Sequence, residues 1–575
     1  MGVRKRYLVI CLMLLLMMIG GVAASEDASD DAVKTSGDNA TLAVENEIVE
    51  EDNLALDGGS DPEEIESAND TNVLGASDEK DVLAATVDDR SVSGTTITAL
   101  ETFLGGNQIT GADVILTKNY VGTADTANGI SVKFLSITGD LNGNGGEVTL
   151  DMGSSTNHRF FQISSGSTVT FKNIIFKNAC RTTAAAYGGA IIAGTNSNVY
   201  FINCTFENNY QIRKGGAIYF NTGCYAEFTD CTFIKNHLNT DGDGIDDDTV
   251  GGGAIHFQGN TDGVKFTRCT FDSNYAVSHG NHNRVYGGAI IFEGQAKNTE
   301  VVDCTFIDNN CRSGTRELVA ESGHRGRPKG AAIYFKGGSD HVLIDNTEFS
   351  RNTLYGILTD DGGGAAVPYA TYAYGGALCF EGQTSYVTIK DCPFDHNNAS
   401  SIGRQARTYG GAIAFLGDTS HINISDSDFT NNAIYCSIYL QNDANYPNYA
   451  VQSFGGAIYF ETVTNDIEIE GCKFDNNHAY LGEHGESMSG AIYLKGTSLE
   501  DLHIKDSQFS KNTADGRFGV INFDVPVTDC SFINVTFDNN HGHTAPLYFG
   551  NSVTDTFIIN STFTNNENTE LLVRV

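Results

Sequence analysis

The sequence predicts an all-β chain, a right-handed parallel β-helix of about a dozen turns with a short N-terminal capping helix. Three observations point there. Gly-Gly-Ala followed by Ile or Leu recurs at Gly188, Gly215, Gly252, Gly287, Gly375, Gly410 and Gly455, with worn copies at Gly330 and Gly490. A second motif, Phe-x-x-Asn, accompanies it from Phe206-Glu-Asn-Asn209 to Phe563-Thr-Asn-Asn566. The spacing is elastic at one place only, between the Asn and the next Gly-Gly-Ala. It grows from a few residues after Asn209 to more than twenty after Asn432. A fixed core with one elastic position marks a stack of repeated units whose loops emerge at one corner.

Ahead of the repeats, Arg4-Lys5-Arg6, the apolar run Tyr7 to Ile19 and the small residues Val22-Ala23-Ala24 read as an export signal, residues 1–24. The apolar run is shorter than the ~20 residues a membrane-spanning helix needs. No second such run follows, so no spanning segment is expected in the exported chain. Residues 25–95 are acidic, with Lys34, Lys80 and Arg90 the only cations and no aromatic side chain. Such a stretch buries too little apolar surface to offset its ordering entropy, and a disordered leader is expected.

Order is expected from Thr96, giving a β-helix domain at 96–575. Thr98-Ala-Leu-Glu-Thr-Phe103 has the pattern of a short helix ending at Gly105-Gly106, placed to cover the first open strand edges. Ala112 to Thr117, Ile130 to Phe134, Ile137 to Gly146 and Val148 to Leu150 follow as short strands broken by Gly and Asn. The repeat proper begins at Phe160.

Each repeat offers three strand-like pieces, for instance Ala289-Ile-Ile-Phe292, Thr299-Glu-Val-Val302 and Cys304-Thr-Phe306, ending in Asn309-Asn310. Strands this short, without hairpin turns, must pair between successive turns. That pairing is parallel, and the crossover rule makes it right-handed. Stacking at ~4.8 Å per turn gives a rod of roughly 60 Å. Gly287 and Gly288 then permit a tight bend, Ala289 keeps the interior narrow beside Phe306, and Asn309 bonds its amide to the Asn above and below. Tyr187, Tyr286, Tyr374, Tyr409 and Phe454, each directly before Gly-Gly, are expected to form an aromatic row.

The chain holds 35 Lys and Arg against 72 Asp and Glu, a net charge of -37, which argues against nucleic acid as a partner. Loss of Cys11 with the signal leaves twelve cysteines. Cys204, Cys231, Cys269, Cys304, Cys392 and Cys472 share one register, with Cys530 a looser seventh. Thr347, Ser427 and Ser507 fill the same register, which no bridge or metal site would tolerate, so a buried small-residue ladder is expected. Whether Cys180, Cys224, Cys311, Cys379 and Cys436 pair is left open.

One segment has metal-ligand spacing. Asn239, Asp241, Asp243 and Asp247 offer oxygen ligands around glycines, and the Asp-x-Asp-Gly core resembles calcium loops of EF-hand, dockerin and thrombospondin type 3 repeats. Val250 stands where an EF-hand places its bidentate Glu. Calcium is the one cofactor the sequence offers, beside the plainer reading of an acidic solvent loop. The basic insert Arg312 to Lys329, with Arg316, His324, Arg325 and Arg327, reads as a solvated loop or a grip on an acidic glycan. Asn-x-Ser/Thr sequons occur at Asn39, Asn69, Asn203, Asn398, Asn423, Asn534 and Asn560, with Asn203 expected to be structural. No converging set of catalytic groups stands out.

The Gly-Gly-Ala-Ile and Phe-x-x-Asn pair resembles the repeats of chlamydial polymorphic outer-membrane proteins. Together with Ile137-Thr-Gly-Asp-Leu-Asn-Gly-Asn-Gly-Gly146 and the acidic leader, it is similar to adhesin-like proteins of methanogenic archaea of the Methanobrevibacter type. That resemblance implies a pectate-lyase-like right-handed β-helix and a secreted or cell-surface protein that binds glycans or proteins of another cell surface through its loops. It does not imply an enzyme. A polysaccharide lyase or glycosidase on the same fold is the alternative, and a structural surface spacer the second, because one scaffold serves all three. The chlamydial relatives end in a membrane β-barrel, for which this chain shows no alternating aromatic-girdled strands.

Overall fold

Repetition of the Phe-x-x-Asn strand is what closes the stack. In the computed structural model Thr205–Glu207 pairs in parallel with Thr232–Ile234, and the ladder continues to Thr536–Asp538 on Thr562–Thr564. The structure describes residues 85–107, 110–123, 129–153, 157–183, 187–240, 250–279, 284–314, 326–357, 370–403, 405–437, 451–482, 485–516, 519–568 and 572–573. This ladder has 14 strands among them, a length of ~62 Å at strand spacing. A wide face of 28 strands carries two segments per turn, such as Ile290–Phe292 and Ala296–Val302, and a third face has 10 strands. The chain is a parallel β-helix.

The third face, running from Cys180–Arg181 to Thr513–Ala514, was not among the three expected pieces. Its strands begin in polar sequence, as in Asn310–Gly314, and only alternate residues point inward: Leu238, Ala276, Cys311, Leu354, Ala399, Ile434, Ala479 and Ala514. With no shared residue type in that column, repetition does not betray it. The elastic segment therefore starts one strand later than the motif spacing implies.

Inside, like stacks on like. Phe176, Phe206 and their successors to Phe563 lie with ring centroids 4.6 to 5.1 Å apart. A second column runs from Phe220 to Phe460 at 4.7 to 5.0 Å. Burying each ring contributes about 1.5–3 kcal/mol. The Asn column is equally regular. Asn309 Nδ2 donates to Asn352 Oδ1 at 3.0 Å and to the Phe271 carbonyl at 2.9 Å, and the same Oδ1 accepts the Asn309 backbone N–H at 3.1 Å. Gly287 is at φ 57°, and a Cβ on Gly288 would sit 2.1 Å from the Ala331 carbonyl of the next turn. Both glycines are therefore required by geometry.

The cysteine register is a buried ladder as expected: Cys269 N–H donates to Cys304 Sγ, Cys304 N–H to Thr347 Oγ1, and Cys392 N–H to Ser427 Oγ. Cys530 is a correction. It aligns with Leu502 and Thr556 on the wide face, and Val535 takes the ladder position two residues before Phe537. The five cysteines left open are unbridged. The aromatic row is continuous at Tyr374, Tyr409 and Phe454, with centroids 4.6 and 5.1 Å apart. Elsewhere lysines interrupt it, Lys329 lying between Tyr286 and Tyr374.

At the N-terminal end the helix α1 spans Ile97–Gly106. Thr96 caps it by accepting the Ala99 N–H, and Ile97, Leu100 and Leu104 are buried. Pairing begins earlier than the expected Thr96 boundary, because Thr86–Asp88 pairs with Ala112–Leu116. Asp89 anchors this strand: its fully buried carboxylate accepts from Thr117 N–H and Oγ1 and from the Tyr120 hydroxyl. Within an acidic stretch, composition cannot single out the one carboxylate that is buried and satisfied. The export signal lies outside the described residues.

Candidate functional site

On the wide face, from Gly263 onward, each turn bends through a left-handed residue eight places ahead of the Phe of Phe-x-x-Asn. Successive turns place Asn298, His341, Tyr386, His421, Asp466, Asp501, Asp529 and Asp555 there, with φ between 47° and 56°. Asn and Asp suit this conformation because their short polar side chains bond locally, whereas a bulky ring costs about 1 kcal/mol or more. Three consecutive turns nonetheless carry rings. His341 and Tyr386 stack at 4.7 Å, and Tyr386 and His421 at 4.4 Å. The stack offsets part of the backbone cost, by about 0.5–1.5 kcal/mol per pair.

Two residues further along each strand, Glu300, Leu343, Thr388, Asn423 and Glu468 point outward. Between this column and the ring column lies a groove of ≈ 540 Å³. That is within the ~300–1,000 Å³ of small-ligand sites. Five turns line it, a run of ~19 Å at strand spacing. Tyr386 is 48% exposed. His421 Nε2 lies 3.6 Å from Asp466, but its Nδ1 is buried without a hydrogen-bond partner, and so is the side-chain oxygen of Asn423. At the groove's ends Lys265 pairs with Glu300 and Lys505 with Glu468, each at 2.9 Å.

A second polar cluster lies outside the Gly-Gly-Ala strands. Here the outward residues Tyr334, Cys379, Tyr459 and Tyr493 are themselves buried beneath Tyr286, Tyr374, Tyr409 and Phe454. Glu293 meets Lys214 at 2.9 Å, His256 at 3.0 Å and Lys336 at 3.1 Å. Burial alone would raise its carboxyl, but His256 and Lys214 outweigh burial and hold it well below the usual range. Burial lowers His256, opposed by Glu293 and by the Gly251 carbonyl, which lies 3.1 Å from Nδ1. Glu381 is held by Lys329 at 2.5 Å and by the Tyr334 hydroxyl. Burial raises Glu461, opposed by Lys495 and Lys329. Glu293 and Glu381 are thus engaged by internal partners, a structural network.

Of the sequence-predicted calcium ligands, Asn239 sits in the strand His237–Thr240, its carbonyl accepting the Tyr210 hydroxyl at 3.0 Å. Asp241, Asp243 and Asp247 lie outside the described residues, as do Arg316, His324 and Arg325 of the basic insert. Arg312 lies 5.4 Å over the Tyr355 ring and Arg327 5.2 Å over Tyr372, so these two cations pack on the stack. Asn203, at φ 48°, donates to Asn173 Oδ1 as a structural corner. The groove residues were missed because no motif spans them. Their signal is positional: a ring eight residues before the Phe at a left-handed corner, where the other left-handed turns have Asn, Asp or Gly.

Among the described residues no helix is long and apolar enough to cross a membrane. No curated protein matches the chain. Among solved structures it is similar to the catalytic domain of a GH87 alpha-1,3-glucanase in complex with nigerose, at 13% identity over 85% of this chain and 68% of that one, TM-score 0.35. It is similar to a double mutant of the tailspike protein of E. coli bacteriophage HK620 in complex with pentasaccharide, at 12% identity over 82% and 76%, TM-score 0.33. It is also similar to PfbA, a surface adhesin of Streptococcus pneumoniae, at 11% identity over 78% and 91%, TM-score 0.30. Residues 331–518, which carry most of the groove, match the family described as a right handed beta helix region, the hand that the crossover rule requires.

Proposed function

We propose that this is an adhesin-like, secreted or cell-surface protein that binds glycans in the groove beside His341, Tyr386 and His421. The observation that carries the reading is a stacked ring column, at a backbone position that disfavours rings, along a groove of ligand size. The export-signal pattern at residues 1–24 supports an extracellular setting. The loops expected to carry recognition fall largely outside the described residues, and the groove adds a second surface made from the repeats themselves.

The test is a glycan array with the full-length chain, run beside a polysaccharide-degradation assay. Tyr386→Asn, which restores the corner residue of other turns, is expected to keep the fold and to lose at least tenfold in affinity for any glycan bound. Turnover of a polymer would replace the binding reading with the hydrolase or lyase alternative. Silence in both assays would leave the surface spacer.

A further inference from the structure

We infer that Arg327 and Arg407 hold an acidic glycan laid along the stack, by two anionic groups two sugars apart. This contact is separate from the groove and does not depend on it. Charge is the first argument. The chain has 35 Lys and Arg against 72 Asp and Glu, so its cations have carboxylates at hand. Arg268 and Arg351 show the usual outcome, each donating through Nε and Nη2 to an aspartate of the preceding turn, Asp230 and Asp308. Among the described residues neither Arg327 nor Arg407 pairs with a carboxylate. Both lie over Tyr372, at 5.2 and 5.9 Å from its ring centroid, and both are partly exposed. Stacking uses the flat face of a guanidinium and leaves its N–H donors, which lie in the plane, for a carboxylate or sulfate. Arg407 gives one of its five donors to the Tyr409 hydroxyl. Neighbouring carboxylates are engaged elsewhere: Glu381 by Lys329, Glu486 by Gln452 Nε2 at 3.3 Å, and Glu461 faces Lys495 and Lys329.

Spacing is the second argument. Lys329 pairs with Tyr374, two residues beyond Arg327 and Tyr372, and Tyr372 pairs with Arg407. The three side chains thus share one column on successive turns, the ring taking one guanidinium from the turn before and one from the turn after. Two turns span roughly 10 Å. An extended polysaccharide advances about as far in two sugars, so a chain parallel to the axis meets both guanidiniums with anionic groups on alternate sugars.

The column also sets the length of the contact. Arg284 precedes Arg327 by one turn and has partners of its own, while Gln452 and then Glu486 follow Arg407. Two anionic groups therefore complete the site. The overall charge of -37 does not prevent it, because charges beyond about 8 Å are largely screened at physiological ionic strength.

The experiment is isothermal titration of the full-length chain with hyaluronan oligosaccharides, which carry one carboxylate on every second sugar. The expected result is binding of the tetrasaccharide, at least tenfold weaker binding of the disaccharide, and none of a tetrasaccharide whose carboxyls have been reduced to alcohols. Arg327→Gln and Arg407→Gln are each expected to bring the tetrasaccharide down to the level of the disaccharide, while Tyr386→Asn leaves it unchanged. Arg407→Lys, which keeps the charge but not the two-pronged donor, is expected to fall between. No binding of the tetrasaccharide, equal binding of its reduced form, or binding indifferent to both Gln variants would overturn the inference. Loss on Tyr386→Asn alone would also overturn it and assign the ligand to the groove. Circular dichroism of the Gln variants separates loss of binding from loss of fold.

Discussion

Along the inside of the stack, from Asn209 to Asn566, the same residue returns on eleven successive turns; along the outer corner, Asn298, His341, Tyr386, His421 and Asp466 follow one another without a shared chemistry. Both columns come from one repeat and both sit where the chain turns. The inner Asn donates to one neighbour and to a carbonyl while its oxygen accepts twice from the turn before, so a residue without both functions leaves buried groups unmade. The outer corner requires only a left-handed backbone. Side chains there are free to be chosen for what they show to solvent, and three turns show rings.

The largest effect is expected inside. Asn352→Ala removes the oxygen that accepts from Asn309 N–H and Nδ2 and the amide that bonds the Phe306 carbonyl. A loss of about 2–4 kcal/mol is expected, by the cost of leaving buried donors and acceptors unsatisfied. Because contacts in a stack are to nearest neighbours, the loss should be local. Hydrogen exchange should rise on the turns around Phe306 and Phe394 and stay unchanged near Phe537. Uniform deprotection along the stack would show that the ladder acts as one cooperative unit.

The Glu293 network predicts a pH dependence of stability. Its carboxyl is lowered from the ordinary 4.5, so its stabilisation is complete above that value and fades as pH falls through it toward the folded value. His256, lowered from 6.5 by burial, works in the same direction, since the unfolded chain takes up its proton first as pH falls. The unfolding midpoint should therefore drop between pH 6.5 and pH 3. Glu293→Gln should lower stability at pH 7 and flatten the part of the curve below pH 5. A parallel curve for the variant would remove Glu293 as the cause.

What could be read from the residues follows the same division. Phe306, Asn309, Gly287 and Cys304 are legible because stacking makes each turn choose the same side chain, and repetition is visible in one dimension. Asn310–Gly314 was not legible as a strand, because its inward column accepts Leu, Ala, Cys or Ile and so leaves no motif. Asp89 was hidden by the acidity around it. Tyr386 was hidden for a deeper reason: its column is one in which turns differ, and difference has no period. Its detection needed the register that the structure supplies, after which a ring at a left-handed corner stands out.

Cys304→Ser probes the ladder where the sequence already tolerates exchange. Thr347 and Ser427 make the same bond to the preceding turn's backbone N–H that Cys304 makes to Cys269. A hydroxyl should replace the thiol at a cost below about 1 kcal/mol, the rest of the site being buried and apolar. A cost near that of Asn352→Ala would mean that sulfur packing, not hydrogen bonding, holds the column.

The smallest effect on stability, and the one that most sharpens the contrast, is expected at Tyr386→Asn. The substitution relieves a bulky residue at φ 55°, a gain of about 1 kcal/mol or more, and forfeits two stacked pairs, with His341 and His421, a loss of about 1–3 kcal/mol that the gain largely offsets. Chemical denaturation should therefore place the variant within about 1 kcal/mol of the parent, although its groove has lost the central ring. A marked gain in stability would mean that the parent retains a strained tyrosine at this corner for a purpose other than folding. A marked loss would make the ring column a structural element like the inner asparagines, and the difference between the two columns would then be one of degree.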